Sequence, residues 1–244
     1  MLAALAVGCS NDTSQAKANP GAGAAPASAG SSSSNAGSGN GGAAGGGTAG
    51  SATTGGNLGG GAGGMPEPPF ETDNLLINGD AEQGTTAWLI AAKSAALVAE
   101  AYGGDGYPAA GDPGPASRGT SFFQGGNNPA ADSHQVVDLS PFADRVGQGI
   151  RFTLAAYLGG YAAQDDRASV VLSLLADDGT ELSSATLGGP YAAERLGTTG
   201  LFANTIDAMV PPATHSIDVH LVVTRAGGAG ADGYVDNVSL RLHN

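Results

Sequence analysis

From Asn74 onward, apolar and polar residues alternate with a period of two in short runs rich in β-branched side chains. Alternation of this kind places apolar side chains on one face of an extended strand. It is clearest in Arg151-Phe-Thr-Leu-Ala-Ala-Tyr-Leu158 and His215-Ser-Ile-Asp-Val-His-Leu-Val-Val223. The pattern predicts strands near Leu75–Ile77, Ala87–Ile90, Ala95–Ala99, Ser121–Gln124, His134–Leu139, Ile150–Leu158, Ser169–Leu175, Glu181–Leu187, Leu201–Val210, His215–Thr224 and Tyr234–Leu242. Turn residues separate them, among them Asp112-Pro-Gly-Pro115, Pro211-Pro212 and Gly227-Gly228. Asp178-Gly179 between two alternating runs predicts a hairpin. Only Pro141–Val146 reads as a helical turn. Many short strands at roughly ten-residue spacing, with almost no helix, predict an all-β sandwich.

The first 64 residues break this pattern. They hold 19 of the 42 glycines in the 244-residue chain and are otherwise almost all Ala, Ser, Thr and Asn. Such a segment buries too little apolar surface to offset the entropy of ordering it. We therefore expect a disordered Gly/Ala/Ser-rich linker over 10–69, acting as a flexible coil of about 40 Å mean span. Pro66, Pro68 and Pro69 mark its end, and 70–244 is the folded domain. No run of apolar residues is long enough to span a bilayer as a helix.

Charge follows the same division. Residues 1–64 carry only Asp12 and Lys17, so the net charge of −13 belongs to the remainder. That balance excludes nucleic acid, because phosphate binding needs clustered Lys and Arg. It also disfavours direct docking to anionic lipid. Carboxylates in excess suit a hard cation such as calcium, or they serve solubility alone.

The single cysteine, Cys9, rules out an intrachain disulfide, and it lies outside the domain. It ends the apolar run Met1-Leu-Ala-Ala-Leu-Ala-Val-Gly8 and is followed by Ser10-Asn11. This resembles the lipobox of bacterial lipoproteins, in which the signal peptide is cut before a Cys that becomes lipidated. The resemblance implies a truncated signal peptide over 1–9, a lipid anchor at Cys9 and an extracytoplasmic place. Ser10 fits outer-membrane or cell-surface sorting. The alternative is a stray Cys in a disordered tail.

The ends of the domain carry a second resemblance. Asn74-Leu-Leu-Ile-Asn-Gly-Asp-Ala-Glu82 followed by Trp88, and Asp232-Gly-Tyr-Val-Asp-Asn-Val-Ser-Leu240, resemble the two ends of a galactose-binding-domain-like jelly roll, a fold that includes many carbohydrate-binding modules. Pro115–Gly119, Phe122–Gly126, Gln135–Ser140 and Ala156–Tyr161 are similar to a subgroup of secreted bacterial proteins of that fold. The resemblance implies a structural Ca2+ between the first and last strands, with Glu82 and Asp236 as ligands and Asp80 as a further candidate. Backbone carbonyls near Gly79 or Asp80, and around Ala101–Gly106, would complete an oxygen shell. Equally, Glu82 and Asp236 could cap turns and accept backbone amides, and Asp80 could be a turn residue.

Sugar recognition needs aromatic faces for the apolar side of a pyranose and planar polar groups for its hydroxyls. The resemblance makes Trp88, the sole tryptophan, a core residue. Tyr161 and Gln164 flank or follow Gly159-Gly160, where absent side chains let a ligand approach the backbone. Arg118 beside Gly119, and Arg195, offer guanidinium forks. These four are the candidate glycan contacts. The alternative for each is an internal ion pair or a half-buried tyrosine with a satisfied hydroxyl.

Catalytic patterns are missing: no Gly-x-Ser-x-Gly, no His-Glu-x-x-His, no phosphate-binding loop ending in Lys-Ser/Thr. His134, His215, His220 and His243 lack metal spacing, and Asp218 faces away from His215 on one strand. A Ser-His-Asp site using Ser133 or Ser216 is not selected by anything in the sequence. The expectation is a non-catalytic, surface-anchored, carbohydrate-binding-like module. The alternatives are a structural or adhesion domain with a protein partner and, less favoured, a hydrolase.

Overall fold

The structure, a computed structural model, describes residues 69–104 and 106–244. The expected signal segment with Cys9, and the expected linker up to residue 68, lie outside the described residues.

Ten strands form the domain: β1 (Leu89–Ile90), β2 (Val98–Ala101), β3 (Ser121–Gln124), β4 (Ala130–Asp138), β5 (Arg151–Gly160), β6 (Arg167–Leu175), β7 (Glu181–Gly188), β8 (Gly200–Met209), β9 (Ser216–Thr224) and β10 (Gly233–His243). The predicted helical turn is a 3-10 turn at Ser140–Phe142 running into α1 (Ala143–Gln148). Gly149 ends α1 in the left-handed conformation, as a glycine past a helix end does.

The strands lie in two five-stranded sheets, ordered β1-β4-β9-β6-β7 and β2-β3-β10-β5-β8. Every pairing between named strands is antiparallel. From β3 to β6, and again from β8 to β10, successive strands alternate between the sheets. This is the winding of a jelly roll, the fold that the resemblance implies. Asp178-Gly179 turns β6 into β7, with Gly179 at φ 81° and Ala176 N–H donating to Thr180 O at 2.8 Å.

Alternation explains the core. Ala131 and Val137 of β4, Val170 and Leu172 of β6, Ile217 and Leu221 of β9 and Phe152 and Leu154 of β5 all point between the sheets. Their partners in sequence face outward. Alternation lapses at several strand ends, and in β3 and β10 it lapses with large side chains. Phe122 and Phe123 are both fully buried, and so are Tyr234 and Val235. Phe123 and Val235 belong to the inter-sheet core, whereas Phe122 and Tyr234 form a second cluster with Leu201, against which Tyr102, Tyr107, Tyr157 and Tyr161 pack. Five of the six tyrosines therefore gather on the outer face of one sheet, where the loops after β2 and β5 cover it.

The predicted strand at Leu75–Ile77 does not form; this stretch is irregular. Side-chain amides replace a ladder here. Asn74 Oδ1 accepts from Leu76 N and Leu240 N, and Gln135 Oε1 accepts from Ile77 N. Asn78 then takes φ 52°, the left-handed region that Asn tolerates better than most residues.

Candidate functional site

The first loop is organised by Asn78. Its amide donates to Gly84 O and Thr86 O, and its Oδ1 accepts from Gln83 N. Its carbonyl accepts from the Trp88 indole at 3.0 Å. Trp88 is buried with its ring edge-on to Phe123 at 5.9 Å, so it serves the core. Gly79 docks this loop on β10: Val238 N donates to Gly79 O at 2.9 Å, and a Cβ on Gly79 would collide with the Val238 carbonyl. β10 accommodates the contact by shifting register between Asp236 and Ser239, with Asn237 at φ 48°. Asn74, Asn78, Gly79, Asp80, Asn237 and Arg241 help line a polar cleft of about 360 Å³ along this seam.

Docking of that loop brings the expected metal residues into one neighbourhood. Asp236 has no exposed surface. Its Oδ2 accepts from the Tyr102 hydroxyl at 2.6 Å and its Oδ1 from Asn237 N at 2.7 Å. Burial drives its carboxyl up to about 7, the two hydrogen bonds oppose that, and the charges of Asp80 and Glu82 add to it. Glu82 is exposed. Its Oε1 accepts from Thr120 N at 2.7 Å and Ser121 N at 2.8 Å, and its Oε2 from the Thr120 hydroxyl at 2.8 Å. Desolvation acts to raise its pKa, but these three bonds together outweigh it and lower it. Gly119, at φ 64°, leaves room for the Glu82 carboxylate. Asp80 Oδ1 accepts from Glu82 N within the turn. The amide-capping role is thus present for both Glu82 and Asp236. Asp80 and Glu82 are near enough for their charges to raise the Asp236 carboxyl, and all the donors are oxygen, the chemistry a hard cation takes, but the three carboxylates do not gather as closely as the ligands of one ion.

The candidate glycan contacts are divided by the fold. Arg195 is 3% exposed, and its guanidinium donates to Gly160 O, Ala162 O, Thr198 O and Gln164 O. It faces inward and holds the loop after β5 against the chain before β8. Burial lowers its pKa. Arg118 donates to Ala109 O at 2.8 Å and Asp112 O at 2.9 Å and lies over the Tyr102 ring, binding the 102–119 loop to itself. Gly159 and Gly160 make room for the chain's own atoms, since a Cβ on Gly159 would collide with the Gly200 carbonyl. Gln164 closes a turn with its N–H to Tyr161 O at 3.0 Å, and its buried Oε1 has no hydrogen-bond partner.

Tyr161, whose neighbours Gly160 and Ala162 are held by Arg195, instead faces a cleft. It is half-buried and, with Tyr107, Gly106 and Asp232, lines a cleft of about 130 Å³. Tyr107 is fixed by Gln124, whose amide donates to its hydroxyl at 3.1 Å. Edge contacts to Phe122 and Tyr234, at 5.7 and 6.4 Å, set its ring plane. Asp232 O accepts from Tyr161 N. Burial raises the Asp232 carboxyl, and the neighbouring Asp166 raises it further. Asp166 in turn accepts from Ala226 N, Gly227 N and Asp232 N, which fixes the loop between β9 and β10. Two phenol rings, Tyr107 held by Gln124 and Tyr161 packed against the Phe122–Tyr234 cluster, make with the carboxylate a small concave surface of aromatic and acceptor character. Tyr107 and Asp232 were not among the sequence candidates, because only the loop after β2 and the start of β10 bring them to Tyr161.

The opposite sheet carries a cluster that sequence spacing hid. On the outer faces of β4 and β9, His134 and His220 are direct cross-strand partners, with rings stacked at 4.9 Å. His134 Nδ1 donates to Asp218 Oδ1 at 2.7 Å, and His220 Nδ1 donates to Asp132 Oδ1 at 2.8 Å. The available signal was the segment Asp-x-His, which occurs at Asp132–His134 and again at Asp218–His220.

No protein-family model matches the chain, and no curated protein matches it in sequence. Among solved structures, it is similar to the enzymatically active domain of tailspike protein 4 of bacteriophage CBA120, with TM-score 0.49 and 16% identity, over 69% of this chain and 21% of that one. The chain thus spans about a fifth of that tailspike structure. It is similar to the CBM22-1 xylan-binding domain from Paenibacillus barcinonensis Xyn10C, with TM-score 0.40 and 11% identity, over 70% and 94% of the two chains. It is also similar to the K1 cleaved adhesin domain of Lys-gingipain from Porphyromonas gingivalis W83, with TM-score 0.35 and 11% identity, over 73% and 98%.

Proposed function

We propose that the domain is a non-catalytic, carbohydrate-binding-like module that holds a glycan at the cleft lined by Tyr107, Tyr161 and Asp232. The observation that carries this is the pair of half-buried tyrosine rings opening into one cleft next to a carboxylate. The rings offer apolar surface to a pyranose face, and Asp232 offers acceptors to its hydroxyls. Tyr107 is held by Gln124 and the aromatic cluster beneath it, so little side-chain order is lost on binding. Arg195 and Arg118 act behind this surface, holding the loops that shape it.

In this account Glu82, Asp80 and Asp236 hold a structural Ca2+. The ion would discharge three neighbouring carboxylates and tie the first loop to β10 and to the 102–119 loop through Tyr102. The 10–69 linker would keep the domain at a distance from a lipid anchor at Cys9, outside the cytoplasm and at the outer membrane or cell surface. A glycan array probed with the calcium-loaded chain tests the reading. We expect a restricted set of glycans bound, with loss of signal in Tyr161→Ala. No glycan above background would overturn it and leave a structural or adhesion domain.

A further inference from the structure

We propose that His134, Asp218 and His220 form a binding site for one late first-row divalent ion, Zn2+ foremost. The site is independent of the glycan cleft and of the calcium residues, which lie on or beside the other sheet.

The three side chains project from the outer faces of adjacent strands and are half-buried. One donor atom of each lies within 4.8 Å of the other two. His220 Nε2 and Asp218 Oδ2 are 3.4 Å apart. Two ligands of a tetrahedral zinc, each at about 2.0–2.1 Å, stand about 3.3 Å from each other. His134 Nδ1 stands 2.7 Å from the other carboxylate oxygen, Oδ1, so metal binding would break that hydrogen bond and leave one Asp218 oxygen as the ligand.

The hydrogen bonds give a second, separate argument. The Nδ1–H of His220 is engaged by the Asp132 carboxylate at 2.8 Å. In the neutral ring that leaves Nε2 as a lone pair, and it faces another acceptor, Asp218 Oδ2. Two acceptors so placed are satisfied either by a proton on Nε2 or by a metal ion between them, and the neighbouring His134 supplies the third ligand that a metal needs. Carboxylate, imidazole and metal in that order is how metal-bound histidines are oriented, and Asp132 is placed to do it. On the other side, His134 would shift its proton from Nδ1 to Nε2 and stay neutral, so no acid or base need be supplied. Two imidazoles and one carboxylate form a borderline donor set. It favours Zn2+ or Cu2+ over Ca2+, which takes oxygen ligands. Three protein ligands leave a coordination position to water or an exogenous donor.

The test is isothermal titration calorimetry of the full chain, without a polyhistidine tag, with ZnCl2 under excess Ca2+. We expect one Zn2+ per chain and a Zn2+-dependent rise in thermal midpoint. His220→Gln and Asp218→Asn should each abolish both, and Asp132→Asn should weaken binding at least about tenfold. His215→Gln and His243→Gln should leave affinity unchanged. Affinity retained in either His220→Gln or Asp218→Asn, or no Zn2+ binding to the native chain, would overturn the proposal. Each variant's metal-free midpoint reports its folding, and either ligand substitution alone decides the matter.

Discussion

The Tyr102 hydroxyl donates to Asp236 Oδ2 at 2.6 Å, joining the loop after β2 to a carboxylate with no exposed surface on β10. A buried carboxylate beside Asp80 and Glu82 is costly to ionise, and a divalent cation would remove that cost. We predict that Ca2+ raises the thermal midpoint and EDTA lowers it. Ligand at a hundredfold excess over Kd contributes about 2.7 kcal/mol, and each kcal/mol shifts the midpoint by about 2–4 °C in a domain of this size. Asp236→Asn should lose the calcium response. An equal EDTA shift in that variant would place the ion elsewhere.

Gly79 should not tolerate a side chain. Its Cβ would strike the Val238 carbonyl, which is backbone and cannot swing away. Gly79→Ala is expected to destabilise by about 1–3 kcal/mol, as overpacking does. Calcium should then stabilise the variant less, because the first loop carries Asp80 and Glu82. Denaturant unfolding with and without calcium measures both effects.

Arg195 holds four carbonyls with one buried guanidinium. Arg195→Ala is expected to cost about 3 kcal/mol or more, since each buried acceptor left without a donor costs about 1–3. Arg195→Lys should recover only part of this, because an ammonium lacks the planar fork. Full recovery by lysine in a thermal melt would show that charge alone matters there.

Asp207 provides a pH dependence of known sign. Hydrogen bonds from Arg151 and then Thr153, with His243 also contributing, lower its carboxyl to about 2. The unfolded value is about 3.9, so its contribution is complete above that pH and is lost as pH falls through the folded value. The midpoint difference between the native chain and Asp207→Asn should be constant near neutrality and shrink toward pH 2. A difference that persists there would contradict the pairing.

Much of the fold was legible as alternation. Ser121–Gln124 is the strand predicted, and Asp178-Gly179 turns the hairpin it marks, because a half-buried strand must alternate. Leu75–Ile77 misled because its three apolar residues look like a strand, while Asn74 and Gln135 satisfy its backbone from the side. The site was less legible. Arg195 and Arg118 sit beside turns, as ligand contacts do, but nearby carbonyls claim them, and no local pattern shows which carbonyls a fold will gather. Tyr107 and the pair His134–His220 depend on contacts between distant segments. Only the repeated Asp-x-His hinted at the second.

Glycan capture at the tyrosine cleft is tested most directly by titrating the best array glycan into calcium-loaded native chain and Tyr161→Ala. We predict saturable binding to the native chain and at least about tenfold weaker binding to the variant, since a well-packed aromatic contact contributes about 1.4 kcal/mol or more. Equal affinity in the two chains, with both folded, would contradict it.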